Sequence, residues 1–159
     1  MKKSSTIFLQ VVIVLIGIGV LALLLWEPHT EGVNAHAKFF EVYRDPFIVL
    51  VYIGSIPFFV ALYQAVKVLT LAGQNRVFSQ SAVHALRTIK YCALITAGAI
   101  VAADAYIRIT VKGNDDPAGA IMLGIIATFV SIVIATAAAV FQRTLQNAVD
   151  IKSENDLTV

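Results

Sequence analysis

The chain has 159 residues, of which 58% are hydrophobic and 14% are charged, with a formal net charge of +2 at pH 7. Soluble domains carry about 25% charged residues, so this composition excludes an ordinary soluble protein. The small net charge and the lack of a basic arm argue against direct nucleic-acid binding, and the single cysteine, Cys92, excludes an internal disulfide and a thiolate metal site.

Four long apolar runs take up most of the chain. Each holds about 20 residues or more, the length that an α-helix needs to cross a bilayer core about 30 Å thick. A soluble helix would show an apolar stripe, whereas these runs are apolar on every face. The sequence therefore predicts an all-α, polytopic membrane protein, with an antiparallel bundle of four transmembrane helices in a single membrane domain. The runs are residues 7–26, 47–71, 91–109 and 118–141.

The distribution of lysine and arginine sets the predicted orientation. Eight of the twelve basic residues fall on the side that holds the N-terminus and four on the other, so the positive-inside rule places that side in the cytoplasm. We therefore expect both termini in the cytoplasm. The predicted connections are outer loops at 27–46 and 110–117, a cytoplasmic loop at 72–90 and a cytoplasmic tail at 142–159.

The first run follows Lys2 and Lys3, as the apolar stretch of a secretory signal peptide would. Such a stretch spans only about 7–15 residues and ends at a nearby cleavage site. This run is longer and continues directly into Trp26 and Glu27. We expect an uncleaved membrane anchor.

The composition of the first outer loop raises the alternative of a metal site. Its histidines and acids match no helical pair and no compact ligand motif, so we expect neither a metal nor a cofactor. Residues Ala35–Tyr43 are instead predicted to form a short helix that places aromatic rings at the membrane surface. The histidines and acids of the loop are His29, Glu31, His36, Glu41 and Asp45.

Polar side chains within the runs are few. Asp104 is the only acid there, and Arg108 lies four residues later on the same helix face. One interpretation is an intramembrane pair whose arginine extends towards the interface. The other is an ion or proton site, because acids within membranes often mark such pathways. Gln10 and Gln64 lie at similar depth, and we expect a hydrogen bond between them.

Small residues recur at four-residue spacing along one face of the fourth run. Such stripes allow helices to approach closely in lipid. The stripe predicts either a seam within the bundle or a contact face of a homo-oligomer. Its members are Ala120, Gly124, Ser131, Ala135 and Ala139.

The cytoplasmic loop between the second and third runs predicts a short capped helix. Ser79 suits the N-cap position, and Phe78 and Val83 have the spacing of a hydrophobic staple across it. Arg87 and Lys90 would offer positive charge to lipid headgroups.

The tail, residues 149–159, continues the fourth run and becomes acidic. It carries a charge of −3, from three acids and the terminal carboxylate less Lys152, whereas the loop carries +3 from its three basic residues. The two segments emerge on the same side. They either form a joint surface or remain two independently solvated surfaces, since an exposed charge pair contributes only about 0–1 kcal/mol.

These two segments also carry a family resemblance. The loop sequence VFSQSAVHALRTIKY and the terminal sequence SENDLTV resemble the paired signatures of the YoaS-like bacterial membrane proteins, domain of unknown function 2975. The resemblance covers essentially the whole chain. It implies a bacterial cell-membrane protein with no assigned activity, often encoded beside a small helix-turn-helix DNA-binding regulator. If that carries over, the loop and the tail would dock such a regulator.

The leading functional prediction is a non-catalytic regulatory or interaction protein that engages a cytoplasmic partner. The alternative is a small transporter or ion-conducting oligomer that uses Asp104. We do not expect an enzyme, because acid–base and nucleophilic chemistry need converging titratable groups, and the spans offer only Asp104 with Arg108. The candidate partner-binding residues are Phe78, Ser79, Arg87, Lys90, Glu154, Asp156 and Leu157.

Overall fold

The computed structural model describes residues 3–26, 45–110 and 117–157, without the side chains of Lys3 and residues 155–157. The described residues form α-helices and no strand, and each helix is long and apolar enough to cross a membrane. This confirms the all-α prediction and its four spans. The helices are α1 (Lys3–Trp26), α2 (Pro46–Gly73), α3 (Gln80–Thr110) and α4 (Ala118–Leu157).

Consecutive helices pack against one another, and α3 with α4 forms the most extensive interface. The contact between α1 and α2 is smaller, and among the described side chains of α1 only Thr6 is buried. Near the other end of α1, the Tyr52 hydroxyl donates a hydrogen bond of 2.7 Å to the Leu24 carbonyl. The first helix therefore lies at the edge of the molecule and is joined to α2 by separate polar contacts.

The expected hydrogen bond between Gln10 and Gln64 is wrong. The Gln10 side-chain amide donates instead to the Thr70 hydroxyl at 2.9 Å, and the Gln64 Oε1 atom is buried without a hydrogen-bond partner. Thr6 of α1 lies against Gly73 of α2, so the first turns of α1 lie beside the last turn of α2. At this register Gln10 lies beside Thr70, nearly two turns beyond Gln64.

A glycine brings the middle helices close together. A Cβ atom added to Gly54 of α2 would lie only 2.8 Å from the Cβ of Ala99 on α3. Two aromatic rings close the same interface at one end, where Phe47 and Tyr106 stack with centroids 5.8 Å apart. These contacts fix which faces of α2 and α3 meet.

The predicted short helix in the loop does not exist as a separate element. Its residues are the first turns of α3, which runs without a break from Gln80 to Thr110. The sequence between Gln80 and Gly98 contains no proline or glycine, so nothing in it interrupts the helix. The predicted N-cap is confirmed, because Ser79 Oγ accepts from the amide of Ala82 at 3.4 Å.

One cluster of buried side chains lies at the end of the molecule where the α2–α3 loop meets the end of α4. We call this cluster the loop–tail core, and its most buried members come from α3 and α4. Val149, at its edge, lies about 12 Å along the helix beyond the predicted end of the fourth span at residue 141. Apolar side chains need burial where water surrounds them, but not in lipid. The loop–tail core consists of Ala82, Val83 and Leu145, with Leu71, Val77, Leu86 and Val149 packed against them.

Candidate functional site: a loop–tail groove and an intramembrane cavity

A tight turn at the end of α2 positions the loop. The amide of Arg76 donates to the Leu71 carbonyl at 2.8 Å, and the amide of Asn75 donates to the Ala72 carbonyl at 3.2 Å. Asn75 has a φ angle of 56°, in the left-handed region that asparagine tolerates better than most residues. This is the Schellman arrangement that ends many helices. It reverses the chain so that α3 can begin a few residues later.

The turn also decides which loop side chain reaches the core. Val77 packs against the loop–tail core, which contains Val83, whereas Phe78 remains 59% exposed. Val77 is therefore the loop residue that packs on the core at the start of α3, and the staple between Phe78 and Val83 stays a prediction. Phe78 is left facing outward beside the end of α4.

The loop and the end of α4 together line a surface cavity of about 610 Å³. We call it the loop–tail groove. The two segments thus form one surface, which supports the joint-surface alternative. Its lining residues are Asn75, Arg76, Phe78 and Ser79 from the loop, and Ala148, Ile151 and Lys152 from α4.

The charge of the groove differs from that of the tail as a whole. Arg76 and Lys152 both line it, and they bear the formal charges of its described lining. Asp150, by contrast, accepts a hydrogen bond of 2.8 Å from the side chain of Gln146 and is not part of the lining. The groove therefore presents two cations beside exposed apolar surface, although the tail is acidic overall.

The structure brings only some of the predicted partner-binding residues together. Phe78 and Ser79 line the groove, but Arg87 and Lys90 do not, and the Lys90 ammonium lies 4.4 Å from the centroid of the neighbouring Tyr91 ring. Glu154 is exposed on α4 beyond the groove. The side chains of Asp156 and Leu157 lie outside the described residues.

Sequence reasoning missed the part of the groove that α4 contributes. Ala148, Ile151 and Lys152 were not among the candidates, although their spacing of three and four residues places them on one helix face. Recognising that the tail is helical would have been enough to group them.

Asp104 and Arg108 line a second cavity, of about 510 Å³, between α3 and α4. In the described part of the chain no hydrogen bond or ion pair joins the Asp104 carboxylate to Arg108. The carboxylate instead lies directly against Gly124 of α4, where an added Cβ atom would collide with it. Thr128, one turn further along α4, lines the same cavity, and its Oγ1 atom is buried without a hydrogen-bond partner.

The described residues contain no group of three or more histidine, cysteine or acidic side chains that could hold a metal ion. Asp45, one of the acids considered for such a site, caps α2, where its Oδ1 atom accepts from the amide of Phe47 at 2.9 Å. His29, His36 and the predicted interfacial helix Ala35–Tyr43 lie outside the described residues.

The described residues include four helices that are long and apolar enough to cross a membrane, and these helices define an integral membrane protein. Comparison with known proteins narrows this class. The chain belongs to the family described as "Protein of unknown function (DUF2975)", whose profile matches residues 29–159. The matched segment contains α2, α3 and α4 and leaves out α1.

A curated relative extends the similarity over the whole chain. It is the protein described as "Uncharacterized membrane protein YoaS" from Bacillus subtilis (strain 168), 43% identical over 162 residues that cover 100% of each sequence. No solved structure gives a significant match. The family and its relative thus identify the chain as a membrane protein of the DUF2975 family.

Proposed function

We propose that this chain is a non-catalytic regulatory or interaction protein that presents the loop–tail groove to a cytoplasmic partner. The observation that carries the proposal is that two segments some 70 residues apart in sequence line one groove. Each segment contributes one cation and one large apolar side chain, Arg76 and Phe78 from the loop and Lys152 and Ile151 from α4.

Large exposed apolar side chains in the groove support a binding role. Phe78 and Ile151 are 59% and 61% exposed. Comparable exposure along the spans is accounted for by lipid, but Ile151 lies about 15 Å along α4 beyond the predicted end of its span. In water, these neighbouring apolar side chains would gain free energy if a partner covered them.

The groove is also built on a rigid base. The Schellman turn and the Ser79 cap fix the loop at both ends, and the loop–tail core beneath it holds Val83 at only 2% exposure. A preformed surface loses little conformational entropy when it binds, which favours affinity. The described lining of the groove contains no acid that converges with a base, so it gives no support to a catalytic role.

A small DNA-binding regulator is the partner class that the family resemblance implies. The predicted orientation places the groove in the cytoplasm, where such a regulator resides. Holding a regulator at the membrane would keep it away from DNA, and its release would restore binding. The proposal therefore describes a membrane-bound sequestering or sensing protein in a bacterial cell membrane.

Photo-crosslinking tests the proposal in cells. A photo-reactive amino acid at position 148, in the groove, should capture one soluble protein, whereas the same group at the adjacent exposed position 147 should not. Arg76→Glu should abolish the adduct by reversing a charge in the groove. Purified partner should then bind the wild-type chain and not this variant. Equal adducts at both positions, or an adduct that Arg76→Glu leaves unchanged, would refute the docking site.

A transporter or ion-conducting oligomer that uses Asp104 is the second candidate. The observation that favours it is the carboxylate in the intramembrane cavity, which makes no ion pair with Arg108 in the described structure. Against it, α2 continues through Pro57 and all four helices are unbroken over their described residues, whereas many transporters have helices that unwind at the midplane. In vesicles that contain the protein, Asp104→Asn should abolish ion or solute flux. Unchanged flux would exclude Asp104 as a transport residue.

A further inference from the structure

We infer that the cavity between α3 and α4 is a binding site for a lipophilic organic cation, with Asp104 and Thr128 as its polar groups. It is a cleft open on the lipid side, and its volume of about 510 Å³ lies within the range of about 300–1,000 Å³ found for small-molecule sites. Such sites are mostly apolar and contain a few placed polar groups. The inference concerns binding, and it does not depend on the loop–tail groove or on transport.

The hydroxyl of Thr128 is distinguished from its neighbours on α4. Ser131, Thr136 and Thr144 each donate to the carbonyl four residues earlier, at 2.8, 2.9 and 3.1 Å. Thr128 makes no such bond, although its Oγ1 atom is buried and its residue lines the cavity. A buried polar atom without a partner costs free energy that a ligand could recover.

Gly124 creates the space that Asp104 occupies. Any side chain there would collide with the carboxylate, so the absence of one allows Asp104 to lie between the helices. In the described structure the carboxylate has no hydrogen bond or ion pair that would satisfy it. A carboxylate in apolar surroundings is stabilised by a cation. The Thr128 hydroxyl lines the same cavity and could accept a hydrogen bond from that cation.

The lining selects the class of cation. Two carboxylate oxygens and one hydroxyl fall short of the six to eight oxygen ligands that a hard divalent cation such as Ca²⁺ takes. Val101, Ile121 and Ile125 supply apolar contact instead, and Val101 and Ile125 are more than half exposed on the lipid side of their helices. An ammonium or phosphonium ion with apolar substituents matches both features and can enter from the bilayer, and an ammonium ion that keeps an N–H can also donate to the Thr128 hydroxyl.

Arg108 lowers the affinity of this site without closing it. It lines the cavity but is itself exposed, about 6 Å further along α3 than Asp104. Its long side chain can keep its charge towards the interface. Removing that charge should therefore strengthen cation binding, an effect opposite in sign to the loss expected when Asp104 is neutralised.

Equilibrium dialysis of the purified full-length chain in detergent tests the inference. The probes are tetraphenylphosphonium and tetraphenylborate, which share a shape and carry opposite charges. We expect wild-type protein to bind the cation more tightly than the anion. Asp104→Asn should weaken cation binding about tenfold or more, since a charged contact is lost. Arg108→Gln should strengthen it several-fold, which a misfolded protein would not do.

Matched variants separate the site from general effects on the protein. Gly124→Ala should weaken cation binding by displacing Asp104, whereas Gly119→Ala, with nothing within 4 Å of the added Cβ, should leave it unchanged. Asp150→Asn removes an acid outside the cavity and should also have no effect. Equal binding of both probes, unaltered affinity in Asp104→Asn, or weaker binding in Arg108→Gln would each overturn the inference.

Discussion

The close approach of α2 and α3 at Gly54 predicts how much stability the protein loses when this glycine is replaced by alanine. In Gly54→Ala the new Cβ would lie 2.8 Å from the Ala99 Cβ, about 1 Å inside normal carbon–carbon contact. Both atoms are attached directly to helical backbone, so no side-chain rotation relieves the clash. Overpacking costs about 1–3 kcal/mol, and replacing a helical glycine recovers about 0.5–1 kcal/mol. We expect a net loss of stability of about 1–2 kcal/mol.

Gly98→Ala is the matched control, because it makes the same substitution on α3 with nothing within 4 Å of the added Cβ. It should leave stability unchanged or raise it by up to about 1 kcal/mol. Thermal unfolding of both variants in one detergent, followed by helical circular dichroism, measures the difference. For a chain of this size, a gap of about 1–3 kcal/mol corresponds to roughly 2–12 °C in Tm. If the Tm of Gly54→Ala were equal to or higher than the Tm of Gly98→Ala, the described α2–α3 contact would be wrong.

Three further predictions concern the ends of the helices. Ser79→Ala removes the cap of α3 and should cost about 1 kcal/mol, measured as a lower Tm, whereas an unchanged Tm would mean the cap contributes nothing. Leu145→Ala empties part of the loop–tail core and should cost about 2–5 kcal/mol, while Ile151→Ala, at an exposed groove position, should be close to neutral. Tyr52→Phe removes the hydrogen bond to the Leu24 carbonyl, so hydrogen exchange should rise near the end of α1, and unaltered exchange there would contradict the contact.

The spans were predictable because length and composition decide them. A run of about 20 apolar residues has few alternatives to a membrane helix, and all four runs lie within helices of the structure. The N-cap at Ser79 was predictable for a similar reason, since capping depends on local chemistry. The orientation of the chain in the membrane and the limits of its predicted single domain stay predictions.

The contacts between helices were not predictable from the same information. Depth along a helix can be read from sequence, but the rotation of a helix that is apolar on every side cannot. For this reason the sequence did not predict that Gln10 donates a hydrogen bond to Thr70 rather than to Gln64. It also did not predict which residues contact Gly54 and Gly124. The small-residue stripe was informative, since Gly124 and Ala135 both face inward in the described fold.

The sequence predicted the loop side of the groove but not the side that α4 contributes. The loop half followed from its cap and its exposed aromatic residue, Phe78. The other half required knowing that α4 continues as a helix to Leu157 and so carries Ile151 and Lys152 back towards the loop.

The unbroken length of α4 has a mechanical consequence. Its 40 residues span about 60 Å, roughly twice the thickness of a bilayer core. Helices adapt to a change in bilayer thickness by altering their tilt. A tilt of about 10° around the middle of the membrane would swing the far end of α4 sideways by about 7 Å. The far end of α4, which lines the loop–tail groove, would therefore move when the thickness of the bilayer changes.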